Sequence, residues 1–447
     1  MNHFINFIHR LTHIRMYDHP PKKSPLLTLA ETDFRGTHNR FGILPDDRLR
    51  HVWIIGKTGV GKSTLLLRLI AQDLAAGRGV GVLDPHGDLA LAATALVPKS
   101  RTNQTVLFDP ADPENAVAFN VLRQGGGQLD AHLIASGLVA VFRKHWADMW
   151  GPRLEHVLRS AILAVVADPR ATLLFLYRFL TEDELREKVA ARITDPVVRQ
   201  FWTVEFPSYR PQLQAEALSP VLNKLGAFVA NQPIRRIVGQ QRSKLDLGQL
   251  MDDSGVLIAN LSVGRLGEDA SRLLGSLLLS SIQLAAMRRP PGAPPFFLYV
   301  DEFQHFVTES LSTMLSEARK FGVGLTLSHQ YLAQLPPGLM DAVRGNVGSL
   351  VIMRVGADDA RVLQSEVDPP FSSGDLSTLP AGRAVVKLLA HGQALDPFSA
   401  RLLPPVPTPP DAAARVAAIR TQSARRFATP VQVVDRHIAQ AFMPPGT

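Results

Sequence analysis

Gly56-Lys57-Thr58-Gly59-Val60-Gly61-Lys62-Ser63 decides the fold, because it stands between a compact apolar run, His51 to Ile55, and a Leu-rich stretch that ends near Gly77 and Gly79. G-x-x-x-x-G-K-[ST] between a strand and a helix is a phosphate-binding loop. Gly59 and Gly61 let the backbone curl so that successive N–H groups converge on a β-phosphate, and a helix starting at Lys62 adds its positive N-terminal end. Lys62 is placed to reach the β- and γ-phosphates and the Ser63 hydroxyl to ligate Mg²⁺. The expected nucleotide-binding set is Gly56, Thr58, Gly59, Val60, Gly61, Lys62, Ser63 and Thr64, with ATP and Mg²⁺ as the ligands. GTP is disfavoured, since Asn223-Lys224-Leu225-Gly226 lacks the acid needed to read guanine.

Further short apolar runs bounded by turn residues lie at Gly79 to Leu83, Thr105 to Phe108, Val256 to Asn260, Phe296 to Val300, Val323 to Ser328, Leu350 to Val355 and Arg383 to Leu389. Helical patterns separate several of them, which predicts an α/β fold with a mostly parallel sheet covered on both faces. One interval breaks the alternation: from Leu129 to Gln249 the periodicity is helical, and a connection that long between neighbouring strands implies an inserted all-α subdomain. The expected division is a lead-in (1–36), a first part of the core (37–128), the helical insertion (129–249), a second part of the core (250–402), and a Pro-rich linker with a basic helix (403–447). That last helix spans Ala412 to Phe427 and carries Arg415, Arg420, Arg425 and Arg426.

A phosphate-binding loop needs an acid for the metal, and three strands end in one: Asp84, Asp109 and the pair Asp301-Glu302. Only the third offers adjacent carboxylates, so Asp301 is expected to hold Mg²⁺ together with Ser63, and Glu302 to polarise water as general base. Asp84 and Asp109 each precede a proline and also read as strand-ending turn residues. Asp84-Pro85-His86-Gly87-Asp88 is either part of the ligand-binding edge, a subunit contact, or a plain turn. Gln330, at the tip of the strand following the general-base strand, is placed to sense a γ-phosphate or simply to cap. Arg319 and Lys320 lie on a helix with apolar Leu311, Met314 and Leu315, and can project to a neighbour or form a solvated face.

Composition narrows the class. The chain has 447 residues, enough for two or three domains, a formal charge of +8, and 46% hydrophobic residues. Wholesale disorder is excluded, and the absence of cysteine excludes disulfides, thiolate metal sites and a cysteine nucleophile. The basic balance permits a polyanionic partner. Leu273 to Met287, the most apolar stretch, reads as too short to span a bilayer, and Ala161 to Leu180 is cut by Asp168, Pro169 and Arg170. Met1 to Arg15 lacks the continuous apolar stretch of a signal peptide and reads as a short frayed or packed helix, with a surface-lying amphipathic helix as the alternative. A chain without an integral membrane segment, cytoplasmic or peripheral at a membrane through a partner, is the expectation.

Together these motifs resemble the HerA/FtsK superfamily of P-loop DNA-pumping ATPases, and most of all its TraG/TraD-type, type IV secretion coupling-protein branch. The resemblance rests on Gly56 to Leu66, Asp84-Pro85-His86-Gly87-Asp88-Leu89, Asn260-Leu261-Ser262-Val263-Gly264, Asp301-Glu302-Phe303-Gln304, Ser316-Glu317-Ala318-Arg319-Lys320 and Ser328-His329-Gln330. It implies a RecA-like core, assembly into a ring, usually a hexamer, with nucleotide between subunits, and DNA in the channel; double-stranded DNA is the expected partner. It makes Gln330 the sensor glutamine and Arg319 an arginine supplied in trans, with Arg354 the other candidate. Lys62, Glu302, Gln330 and Arg319 are thus the implied catalytic set. The Leu129 to Gln249 insertion corresponds to the all-α domain of coupling proteins, and Gly264-Arg265-Leu266-Gly267 is a candidate DNA-contacting loop. Membrane-anchored relatives carry N-terminal transmembrane helices that are not seen here, so a soluble relative, or one docked on a membrane partner, is expected. A nuclease, a relaxase or a secretion channel are the partner classes. A protein-secreting ATPase and a nucleotide-gated assembly scaffold are the competing readings.

Overall fold

Eleven strands form one central sheet in the computed structural model, which describes residues 26–33, 38–123 and 128–442. The expected N-terminal helix, Met1 to Arg15, lies outside the described residues. The strands are β1 (Leu27–Thr32), β2 (Arg40–Ile43), β3 (Val52–Ile55), β4 (Gly79–Asp84), β5 (Thr105–Phe108), β6 (Val256–Asn260), β7 (Phe296–Val300), β8 (Val323–His329), β9 (Ser349–Ile352), β10 (Arg383–Lys387) and β11 (Phe398–Leu402). Their spatial order is β2-β1-β11-β10-β9-β3-β8-β7-β4-β6-β5. From β9 to β5 all pairings are parallel; from β9 to β2 all are antiparallel.

The parallel part obeys the rule that strands buried on both faces read as continuous apolar runs. Every residue of β3, β4 and β7 is buried. Successive side chains still alternate between faces. Ile54, Val82 and Tyr299 join one core with the Leu-rich helix Lys62–Ala75 and the helix Asp88–Leu96. Trp53, Ile55, Leu83 and Val300 join the other core.

That second core does not stop at the sheet. It runs without a break through the central helix Glu268–Met287 into the insertion's helices Gln128–His145, Pro152–Val166 and Pro211–Ala230. The insertion therefore shares the ATPase core's hydrophobic cluster. Glu268–Met287 also differs from its expected length: the apolar stretch was read as too short to span a bilayer, whereas the helix has 20 residues and passes by length and composition. Its most apolar window is 89% buried inside the fold, so its all-round apolarity is that of a core helix.

Of the antiparallel extension only β10 was expected as a strand, from the run Arg383 to Leu389, and its antiparallel pairing was not. β1 falls inside the stretch read as a lead-in, yet it is hydrogen-bonded on both sides, to β2 and to β11. At the opposite edge the C-terminal segment folds back. Ser423, on the helix Ala412–Phe427, accepts a bond from the Leu107 N–H of edge strand β5 at 2.8 Å. A short strand, Ala428–Pro430, then pairs with Asn115–Val117, and a second helix follows, Val431–Phe442. Covering β5 removes an exposed row of backbone donors and acceptors.

Candidate nucleotide site

The parallel strands point their C-terminal ends to one edge, and the expected loops meet there. The Gly56–Ser63 loop leaves β3 between β8 and β9: Gly56 N–H donates to the His329 carbonyl at 3.3 Å and Lys57 N–H to the Arg354 carbonyl at 2.8 Å. Gly59 and Gly61 have φ of +79° and +112°, conformations that glycine adopts without steric cost. At Gly56 a Cβ would sit 2.7 Å from the Met353 Cβ, so that position is closed to any side chain.

Lys62 begins the helix and is 7% exposed. Its ammonium donates to the carbonyls of Gly56 and Lys57 at 2.7 and 3.3 Å and lies 3.8 Å from Glu302 Oε1. Burial lowers its pKa against the pull of Glu302 and Asp301. Asp301 and Glu302 follow β7, both almost fully buried. Burial pushes the Asp301 carboxyl up to about 6, opposed by a short hydrogen bond from the Ser328 hydroxyl. Glu302 has φ +43°, a strained backbone for a non-glycine residue that persists only where surroundings hold it.

Those surroundings are specific. Gln330 Nε2 donates to Glu302 Oε1 at 2.9 Å, while its Oε1 accepts from the Thr58 hydroxyl at 2.9 Å. Gln304 Nε2 donates to the other carboxylate oxygen, Oε2, at 2.8 Å. One carboxylate is thus clamped between the phosphate-binding loop and its own turn. Ser63 is exposed at the helix start. With Asp301 it offers the hard oxygen donors Mg²⁺ prefers. Among the described residues no group of three or more His, Asp or Glu can hold a metal, so an ion here needs phosphate oxygens or water to complete its shell.

Other expected residues fall elsewhere. Asp84 is fully buried and accepts from the N–H groups of His86 and Ala90 at 2.8 and 2.9 Å, which caps the helix after it. His86 and Asp88 remain exposed at the same edge. Asp109 is a strand-ending residue as well, held by Arg265 at 2.8 Å and accepting from Ala111 N–H. The Gly264–Gly267 segment, the candidate DNA contact, is mostly a short helix, Val263–Leu266, with Arg265 bonded to Asp109 and to the Ala111 carbonyl. Arg319 is exposed in the turn Ala318–Phe321 that leads into β8, at the edge opposite its own phosphate-binding loop. Arg354 flanks that loop, its carbonyl bonded to Lys57. Sequence reasoning assigned no role to Ser328 or Gln304, although both sit in quoted motifs. Gln304 stands two residues from the Glu302 it holds, a local signal, whereas Ser328 lies 27 positions from Asp301 and is brought to it only by the pairing of neighbouring strands.

A phosphate-binding loop at the switch between strands, an acidic pair on the second strand over and a polar tip between them define a P-loop nucleoside triphosphatase with a RecA-like sheet. The comparisons refine that class. Residues 38–245 match the family model of the type IV secretion-system coupling protein DNA-binding domain. A curated relative, the type 4 coupling protein DotL of Legionella pneumophila, is 22% identical over 415 residues, covering 79% of this chain and 52% of the relative. The chain thus spans about half the length of that relative. Among solved structures, the bacterial conjugative coupling protein TrwB in an unbound form aligns with TM-score 0.64 at 16% identity, covering 86% of this chain and 90% of that one. TrwB in complex with ADP and Mg²⁺ gives 0.65 at 16%, covering 88% and 93%. VirB4 of Thermoanaerobacter pseudethanolicus gives 0.55 at 14%, covering 88% and 98%. The resemblance read from the motifs is borne out: the chain is similar to the TraG/TraD-type coupling ATPases of the HerA/FtsK superfamily in sequence and in fold.

Proposed function

We propose that the protein is an ATP-driven motor acting on double-stranded DNA, working as a ring, with ATP·Mg²⁺ at the Gly56–Ser63 loop. The observation that carries the enzymatic reading is the Thr58–Gln330–Glu302 chain, which couples a γ-phosphate sensor position to a candidate base. When bound, Mg²⁺ neutralises charge developing on the phosphates; Ser63 and Asp301 are the residues that would hold it. Lys62 exchanges its loop carbonyls for phosphate oxygens, Gln330 moves from Thr58 toward the γ-phosphate, and Glu302 takes the proton of the attacking water. Arg319, too far from its own loop, serves the neighbouring subunit. The DNA cargo is supported by the coupling-protein DNA-binding domain match over residues 38–245.

ATP hydrolysis measured with and without double-stranded DNA across ionic strength tests the cargo. A DNA motor is stimulated at low salt and loses that stimulation steeply as salt rises. Turnover indifferent to DNA at low salt rejects the motor and favours a protein cargo or a scaffold. The ring is tested by mixing: Arg319→Ala subunits hydrolyse poorly alone and recover activity when mixed with Lys62→Ala subunits, whose Arg319 is intact. Full activity of Arg319→Ala alone rejects the trans assignment.

A further inference from the structure

Lys144 is the only ammonium that the helical insertion places, among the described residues, on the turn behind the acidic pair. It sits one residue from the end of the helix Gln128–His145, and its Nζ donates to the carbonyls of Gln304 and His305 at 3.1 and 3.4 Å. No carboxylate among the described residues pairs with it. Its cationic neighbour Arg272 approaches His305 Nδ1 at 3.4 Å. Burial, with that like charge, pushes Lys144 down to about 7, so keeping an ammonium here is unfavourable unless the two carbonyls hold it.

The carbonyls it grips belong to the turn Phe303–His305. That turn follows directly on Glu302, the residue in the left-handed conformation, and it carries the Gln304 amide that holds Glu302 Oε2. The helix behind Lys144 is firmly seated. Gly137 leaves no room for a Cβ, which would lie 2.8 Å from the Ser280 hydroxyl on the central helix, and Arg288 pairs with Asp130 near the helix start at 2.8 Å. The ammonium is therefore a strut from a fixed helix to a strained turn. A strained conformation survives only when several contacts specify it, and Lys144 supplies two of them from outside the ATPase core.

We propose that Lys144 is the positioning residue through which the helical insertion sets the orientation of Glu302, so that the hydrolysis rate follows how the insertion is seated. The inference rests on reading Glu302 as the base. Lys144 touches neither nucleotide nor water; it acts through the Gln304–His305 turn and the Gln304 amide.

The test compares wild type, Lys144→Met, Lys144→Arg, Gln304→Leu, the Met/Leu double variant and Glu302→Gln, using ATP as the probe. Each is assayed for kcat, KM, DNA stimulation and thermal unfolding. Lys144→Met is expected to lower kcat about 10- to 100-fold, the scale of a displaced reacting group, with KM and unfolding temperature near wild type. Lys144→Arg, which donates to the same carbonyls, regains most of the loss. Gln304→Leu lowers kcat similarly, and the double variant is no worse than the more impaired single, because both act on one turn. A Lys144→Met enzyme with kcat within twofold of wild type overturns the proposal. So do an Arg variant as impaired as the Met variant, fully additive losses, or a defect seen only as lost folding. Should the Met variant not fold, Lys144→Gln, which keeps a donor without the charge, carries the same comparison. Glu302→Gln separates the two levels: if it hydrolyses normally the base assignment fails, whereas if it is inactive while Lys144→Met is normal, only the positioning role falls.

Discussion

The helix Lys62–Ala75 carries a buried charged cluster at each end, and the two are built on different principles. Near its C-terminal end Asp73 takes both Arg48 guanidinium nitrogens at 2.8 and 2.7 Å, the Tyr299 hydroxyl at 2.6 Å and Arg78 at 2.9 Å. Arg48 also lies 3.5 Å over the Phe297 ring. Arg48 and Asp73 pair in bidentate geometry, Arg78 adds a single bond to the same carboxylate, and the pairing raises the Arg48 pKa although burial opposes it. At the N-terminal end Lys62 rests on two carbonyls with Glu302 only at 3.8 Å. Asp301 is pushed up to about 6, and Glu302 is strained. A paired cluster ties helix to sheet; an underpaired one is held ready for charges that arrive with a ligand.

The contrast breaks if substitution at the two ends has the same consequence. The largest effect belongs to the nucleotide end. Lys62→Ala is expected to cut ATP turnover about 10³-fold or more and leave unfolding essentially unchanged; a phosphate-release assay beside a melting curve reads both. Asp73→Ala, by contrast, leaves Arg48 buried and unpaired and should cost about 3–5 kcal/mol of stability. Chemical denaturation measures it, and a loss under 1 kcal/mol would erase the distinction.

Smaller effects sharpen it through pH. His51 is buried and neutral, Nε2–H donating to the Leu315 carbonyl at 3.0 Å and Nδ1 accepting from Leu325 N–H at 3.1 Å. Burial pushes it down to about 4 from 6.5. Its depressed pKa means stability is full above pH 6.5 and is lost as pH falls toward 4, by about 2 kcal/mol at pH 5. Denaturation at pH 7.5 and 5 checks this, and no acid loss would mean the ring is charged in the fold. Asp301 has the opposite sign: its raised pKa makes the ionised carboxylate a liability above pH 6 in metal-free protein. Asp301→Asn should therefore stabilise metal-free protein by about 1–2 kcal/mol at pH 8, fading between pH 6 and 4, while impairing Mg²⁺-dependent turnover. Destabilisation at pH 8 would place Asp301 with the structural cluster instead.

What the sequence disclosed follows from the same physics. The seven parallel strands were legible because burial on both faces leaves continuous apolar runs such as Val52–Ile55 and Phe296–Val300. Leu27–Thr32 and Phe398–Leu402 mix polar residues with apolar ones and carry no comparable signal. The phosphate-binding loop and the Asp301-Glu302 pair were legible because they are local in sequence. Gln304, two residues from Glu302, was legible in principle. Ser328 and Lys144 act through tertiary contacts, Ser328 on Asp301 across 27 positions and Lys144 on the Gln304 carbonyl across 160, which no spacing rule discloses. The partner of Arg265 was illegible for the same reason, because Asp109 lies 156 residues away.

The central claim, that Glu302 activates water at this nucleotide site, is tested most directly by following one turnover of bound ATP in Glu302→Gln protein. The account predicts that the variant retains ATP and Mg²⁺ and slows phosphate formation by about 10²- to 10⁴-fold. Phosphate formed within a few-fold of the wild-type rate would contradict it.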